Sequence, residues 1–330
     1  MRAGWMGWAM GVLLLSGPAM SMAASCTTQA EMSAQDRNLL AGAGQRLADA
    51  IVQQNYGGLQ ASLLPQMEQE WNSMQAAAQN GAAFVKGGTA QIEEMYLLDD
   101  TDATATADQQ FFCSNASGSL TVTLTMRALP PGKYALVLAD ATGAKLKGKI
   151  GLVLVWDPTG SVPAWKLGGL TVRQGATDGH DGVWWWRQGR QLAAEGAPWS
   201  AYYSYAMART LLLPVDFLSS PNLEKLDHEQ GDIANGPAHA FPLMVGDGAR
   251  TWKIEGVEVD TSLHEADLRV TYDSLGMTDP AAARTEATAV LSALLKAHPD
   301  LRANFHGLWA YAVRNGTPTP VMELSMKQIP

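Results

Sequence analysis

One grouping of potentially reactive side chains in this chain of 330 residues is Thr177-Asp178-Gly179-His180-Asp181-Gly182. It places an imidazole and two carboxylates just before three tryptophans, Trp184, Trp185 and Trp186. Metal ligation or general-base chemistry by His180 and Asp181 is open to such a set. A helix cap explains it more simply, because a carboxylate at a helix N-terminus accepts backbone N–H bonds and complements the dipole. The tryptophans could stack a sugar or a peptide if they faced water. Three consecutive helical positions fan over about 200°, however, so no single platform holds all three rings. Core and interface packing is the expectation for two of them.

The remaining ionisable residues point to less. His228-Glu229 and His264-Glu265-x-Asp267 contain possible ligands, yet neither has the paired-histidine helical spacing of a zinc protease. Both read as solvated loops. His298 reads as a helix-end imidazole whose partial positive charge the dipole favours. His239 and His306 have no sequence neighbours that single them out. The acidic run Asp99, Asp100, Asp102 and Asp108 lacks the alternating order and central glycine of a calcium loop and reads as solvent-facing. Gly143-x4-Gly148-Lys149 imitates a phosphate-binding loop, but Ile150 stands where Ser or Thr must hold magnesium, and alternation rather than a helix follows. No Gly-x-Ser-x-Gly elbow is present. The residues therefore indicate no catalytic group, no metal and no cofactor.

Cys26 and Cys113 are the only cysteines. In an oxidising compartment such a pair is expected to form one disulfide, which closes a long loop and contributes about 4–5 kcal/mol in the chain-entropy model. The alternative is lipidation of Cys26 in a loose lipoprotein box, Ala23-Ala24-Ser25-Cys26, which would make the protein an outer-envelope lipoprotein. An oxidising location fits the first residues, which read as an export signal: Arg2, an apolar run from Trp5 to Leu15, the Gly17-Pro18 break, and Ser21-Met22-Ala23 as the cleavage site. That run is short for a membrane span of about 20 residues. A periplasmic or extracellular protein is the expectation, membrane-bound only if Cys26 is lipidated.

Composition narrows the partners. Hydrophobic residues make up 47% and charged ones 17%, with a net charge of -9. There is ample material for large cores, and no basic face for nucleic acid. An unidentified small molecule, an envelope protein or a second copy in a homodimer remain as partners.

Elements that could position these residues follow from periodicity. Ser33-Ala34-Gln35-Asp36 forms a capping box for a helix through Leu40, Ala43, Leu47 and Ile51. A short helix to Pro65 and a third, marked by Met67, Trp71, Met74 and Ala78 and stopping at Asn80-Gly81, complete three helices before any strand. From Gln91 the period becomes two. Strands are expected at 92–98, 109–113, 120–126, 134–139, 149–156 and 164–173, with a bulge at Gly168-Gly169 where the inward set switches from Trp165 and Leu167 to Leu170 and Val172. Val183 to Pro214 predicts two helices broken at Gly196-Ala197-Pro198. Asp216 to Ala249, poor in periodicity, reads as a connecting segment. Residues 250–330 predict a β-β-α-β-β layer, its helix starting at Asp279-Pro280.

Two resemblances add to this. Trp185, Gly189, Leu192, Gly196, Ala201, Tyr205, Ala208 and Pro214 stand in an order that resembles one tetratricopeptide unit. Helices leading into Asn55-Tyr56-x-x-Leu59, followed by an antiparallel sheet closing with Trp165-Lys166-Leu167-Gly168-Gly169-Leu170, look like the nuclear transport factor 2-like cone over about residues 33–175. That resemblance implies a curved antiparallel sheet wrapping helices around a pocket, in a family of isomerases, dehydratases and non-catalytic binding modules. The expected fold is thus α+β: a signal (1–23), a cone domain (24–175), a helical hairpin (176–215) to be covered by the first sheet, a connector (216–249) and a C-terminal α+β domain (250–330). The expected function is non-catalytic binding or scaffolding; the alternative is a cone-fold enzyme acting on a small hydrophobic molecule.

Overall fold

The computed structural model describes residues 24–142, 146–160, 162–274, 276 and 279–330. The expected export signal and Gly143 of the phosphate-loop imitation lie outside them.

Contrary to the expected order, a strand comes first. β1 (Ser25–Thr28) precedes α1 (Ala34–Val52), which begins as its capping box requires, with Ser33 Oγ accepting the Asp36 backbone N–H at 3.1 Å. α2 (Tyr56–Ala61), capped by Asn55, and a 3-10 turn at Pro65–Glu70 lead to α3 (Trp71–Val85). This third helix does not stop at Gly81. A Cβ at that position would lie 2.3 Å from Val172 Cβ, so the glycine serves close packing of helix on sheet instead of ending the helix.

Six long strands follow: β2 (Thr89–Asp99), β3 (Ala107–Ser114), β4 (Leu120–Leu129), β5 (Lys133–Thr142), β6 (Gly148–Asp157) and β7 (Ala164–Gln174). The small ribbon β8 (Ala176–Thr177) and β9 (His180–Asp181) then leads to the hairpin of α4 (Gly182–Ala194) and α5 (Pro198–Leu212). The segment read as a connector contains more structure than its sequence advertised. It holds β10 (Leu218–Ser219) and α6 (Pro221–Gly231), a helix with Ser220 as cap and only Leu223 and Leu226 buried. So narrow an apolar stripe leaves almost no periodic signal. A C-terminal five-stranded sheet and its helix follow: β11 (Leu243–Gly246), β12 (Thr251–Asp260), β13 (Asp267–Asp273), α7 (Pro280–Ala297), β14 (Gly307–Arg314) and β15 (Thr317–Ser325).

The architecture is α+β, as expected, but β1 to β7 do not form one continuous sheet. The main sheet has the order β1-β2-β5-β6-β7, all antiparallel, while β3 and β4 leave it to pair with β10. The reason is a second apolar layer: Phe111, Cys113, Val122 and Leu124 of the β3–β4 hairpin pack on Tyr96, Leu98, Tyr134 and Leu136. The disulfide between Cys26 and Cys113, with Cα atoms 5.0 Å apart, ties the sheet edge to this layer. On the opposite face α1 and α3 bury Leu40, Leu47, Ile51, Met74 and Val85 against Val137, Ile150 and Leu152. The expected bulge occurs: Val153 pairs with Gly169 and Leu154 with Leu167, leaving Gly168 extra.

The hairpin forms over the expected residues, with the Gly189 Cα close against the Tyr205 ring, where a Cβ would be 3.1 Å from a ring carbon. Its cover is not the one expected. Trp185, Trp199, Tyr203, Met207 and Leu211 belong to one core with Trp252, Ile254, Val270 and Leu308 of the C-terminal sheet. α5 and α7 both contribute to this core.

Candidate functional site

On the first sheet's helix-side face an opening of about 220 Å³ is lined by Arg46, Leu47, Asn55, Ser62 and Trp165, and Trp165 packs against that core and edge-to-face with Trp156, ring centroids 5.4 Å apart. Tyr134 lies on the other face, its hydroxyl donating to the Pro130 carbonyl. A larger opening lies on that other face. A cleft of about 390 Å³ is floored by Glu93, Glu94, Tyr96, Leu138, Asp140 and Lys149 and roofed by Val183 and Trp186 of α4, with Leu212 and Pro214, and Val122, Leu218, Asn222 and Leu223 at its sides. Its size falls within the usual range for small-molecule sites.

Local sheet geometry explains the two carboxylates. Ile92 points to the helices, and so do Met95 and Leu97, which simple alternation from Ile92 would not allow. A bulge accounts for it, because Ile92 pairs with Ala139 and Glu94 with Leu138, leaving Glu93 extra. The consecutive residues Glu93 and Glu94 therefore both border the cleft. Burial, with Glu93 beside it, raises the pKa of the Glu94 carboxyl, and burial next to Glu94 pushes the Tyr96 phenol up to about 12. Lys149 Nζ is 3.1 Å from Asp140 Oδ1 across the β5–β6 pair. The cleft is an apolar slot with an acidic end.

The residues singled out by sequence divide three ways. Asp181 caps α4, its Oδ1 accepting the Trp184 backbone N–H at 2.9 Å. His180 stacks on Trp184 with centroids 3.6 Å apart, and Trp184 is 36% exposed. Trp185 is 2% exposed and stacked on Phe305. Trp186 reaches the cleft and donates its Nε1–H to Glu229 Oε2 at 2.7 Å, with the Arg190 guanidinium 4.6 Å from its ring centroid. Glu229 also takes a bidentate pair from Arg190, which holds its carboxyl below the ordinary range. Far from being a solvated loop residue, it fixes the ring that roofs the cleft. The structure brings His180, Asp181 and Trp184 together, but sends Trp185 and Trp186 elsewhere.

Other expectations need correction. His298 ends α7 but stacks on Trp199 at 3.5 Å, and burial lowers its pKa, outweighing the opposing charge of Asp300. Asp100 is buried, 5% exposed, and its pKa is raised chiefly by that burial. Asp267 and His306, read as unremarkable, form a pair at 3.0 Å between Nδ1 and Oδ1, with Asp267 only 1% exposed. That hydrogen bond raises the pKa of the imidazole, while burial beside Asp267 raises that of Glu323. Among the described residues these three side chains are the grouping whose donor atoms converge closely enough to hold a metal ion. The pair is 39 residues apart in the chain, so only strand pairing reveals it.

Comparison of the chain with family models, with curated proteins and with solved structures returned no match to any of them.

Proposed function

We propose that this is an exported binding protein that holds a small amphipathic molecule in the cleft between the first sheet and α4, the apolar body against Leu138, Val183 and Trp186 and a cationic or hydrogen-bond-donating group at Glu93 and Glu94. The observation that carries the reading is the bulge that turns two neighbouring carboxylates onto the floor of a largely apolar slot, beside the Lys149–Asp140 ion pair. The two neighbouring carboxylates, both exposed to solvent, carry like charges that a bound cation would offset, so a site of this kind prefers a cation. The net charge of -9 disfavours a polyanionic partner. The cone resemblance supports the reading through its helices packed on an antiparallel sheet, although the cleft lies on the opposite face from the family's pocket. A cone-fold enzyme receives less support: no histidine borders the cleft among the described residues.

The disulfide supports an oxidising, exported setting, and no helix among the described residues is long and apolar enough to cross a membrane. A sulfur in a disulfide is not available as the thioether of a lipid anchor, so intact mass of the mature chain separates the two uses of Cys26.

The test is titration with two probes of matched chain length, decyltrimethylammonium and decanoate, below their micellar concentrations and followed by tryptophan fluorescence and calorimetry. The cation should bind more tightly, and Glu94→Gln should erase the preference. Equal affinity for both probes in the native protein, or a preference untouched by Glu94→Gln, would refute the assignment.

A further inference from the structure

A second group of ionisable side chains, which the cleft does not use, lies on the C-terminal sheet. β13 and β14 run parallel with Asp267 level with Gly307, and β15 returns alongside with Ser325 opposite Gly307 and Glu323 opposite Trp309. Leu268, Leu308 and Ala310 point into the core shared with α5 and α7. By the period of two, Asp267, Gly307 and Glu323 share the other face. His306 immediately precedes β14 and so stands beside Asp267.

The geometry there is tight. One donor atom from each of Asp267, His306 and Glu323 lies within 4.8 Å of the other two. Asp267 is 1% exposed, and Glu323 Oε1 is closed to solvent and accepts no hydrogen bond. Gly307 separates the carboxylates: a Cβ there would sit 2.8 Å from Glu323 Oε1 and 3.0 Å from Asp267 Oδ1, so any side chain would occupy the space on which both oxygens converge. Donors bound at about 2.1 Å to one ion stand roughly 3.0–3.4 Å apart in octahedral or tetrahedral geometry. The 3.0 Å between His306 Nδ1 and Asp267 Oδ1 therefore suits a shared cation as well as it suits a hydrogen bond.

We propose that Asp267, His306 and Glu323 form a binding site for one divalent first-row transition cation of the Zn²⁺ or Mn²⁺ class. An imidazole among the ligands disfavours Ca²⁺ and Mg²⁺, which take oxygen donors, and the lack of sulfur in the set disfavours Cu(I). Two carboxylates and a neutral imidazole match a dication in charge. Glu265, which acts electrostatically on His306, adds further negative potential nearby. The His306 side chain is 41% exposed, which supplies an entry path and leaves the remaining coordination positions to water.

The competing explanation is that Asp267 and His306 form a salt bridge joining two strand starts, a role in which Glu323 has no part. The full chain, stripped with a chelator and dialysed, is titrated with Zn²⁺ and Mn²⁺ against a chromogenic competitor. One ion per chain should bind with micromolar or tighter affinity. Glu323→Gln and His306→Gln should each weaken binding at least about tenfold, with circular dichroism unchanged, and His180→Gln should leave it as it was. Co²⁺ added to the native chain should give the visible bands of nitrogen and oxygen ligation without thiolate charge transfer, a readout that needs no variant. Absence of those bands, a stoichiometry well below one ion at 100-fold excess over the micromolar range, or affinity unaltered by Glu323→Gln would overturn the proposal.

Discussion

Replacing Trp185 with alanine should destabilise the protein by about 3–5 kcal/mol. The indole is 2% exposed in the core that joins α4 and α5 to the C-terminal sheet, stacked on Phe305 at 6.1 Å and edge-on to Trp184 at 5.0 Å. A tryptophan buries about 150–250 Å², and at about 25 cal/mol per Å² this gives roughly 4–6 kcal/mol of transfer free energy as an upper bound. Partial collapse of the site returns some of that, which places the expected loss in the measured range for large aromatic truncations. Trp184 is the internal control. It is its neighbour in sequence but 36% exposed, and its main partner is the His180 ring, so Trp184→Ala should cost no more than about 1.5 kcal/mol. Guanidinium unfolding followed by far-ultraviolet and near-ultraviolet circular dichroism measures both variants, with an unchanged m-value required for a direct comparison. If Trp185→Ala falls within about 0.5 kcal/mol of the native protein, or if both variants cost the same, then the indole is not the packing element inferred from its burial.

Three further outcomes are expected. The double variant Cys26→Ser, Cys113→Ser should lose about 4–5 kcal/mol, because the bond closes a span of 87 residues; a loss under 1 kcal/mol by urea unfolding would count against that entropy. Gly81→Ala sets helix propensity, worth about 1 kcal/mol in favour, against a Cβ that would lie 2.3 Å from Val172 Cβ and 2.8 Å from its carbonyl oxygen; backbone cannot yield cheaply, so a lowered Tm is expected and a raised one contradicts the packing. The lowered pKa of His298, caused by burial against Trp199, means that the unfolded chain takes up the proton first on acidification. Its contribution to stability is complete above the ordinary imidazole value near 6.5 and erodes as pH falls from there toward the lower folded value. His298→Gln should therefore flatten the fall in Tm between about pH 7 and pH 5, and an unaltered slope speaks against the burial argument.

Much of the fold was legible from local chemistry. The capping box at Ser33, the alternation of Leu120, Val122 and Leu124 with threonines, the Gly168 bulge, the hairpin break at Gly196-Ala197-Pro198 and the Asp279-Pro280 helix start all depend on neighbours within a few positions, and all occur where their residues place them. What failed to show was what depends on distant partners or on a faint stripe. α6 buries too few apolar residues to betray itself, and α3 runs past Gly81 because a sheet approaches it from afar.

The candidate sites follow the same division. Asp181 as a cap and the radiating tryptophans needed only helical geometry, so residue types and spacing alone determined them. The cleft required a bulge at Glu93, the departure of β3 and β4 from the main sheet, and α4 leaning over the exposed face. Asp267, His306 and Glu323 required a parallel strand pair joined through α7. Each of those juxtapositions is decided by which apolar faces find one another, a long-range outcome of burial that is written in no single stretch of the chain.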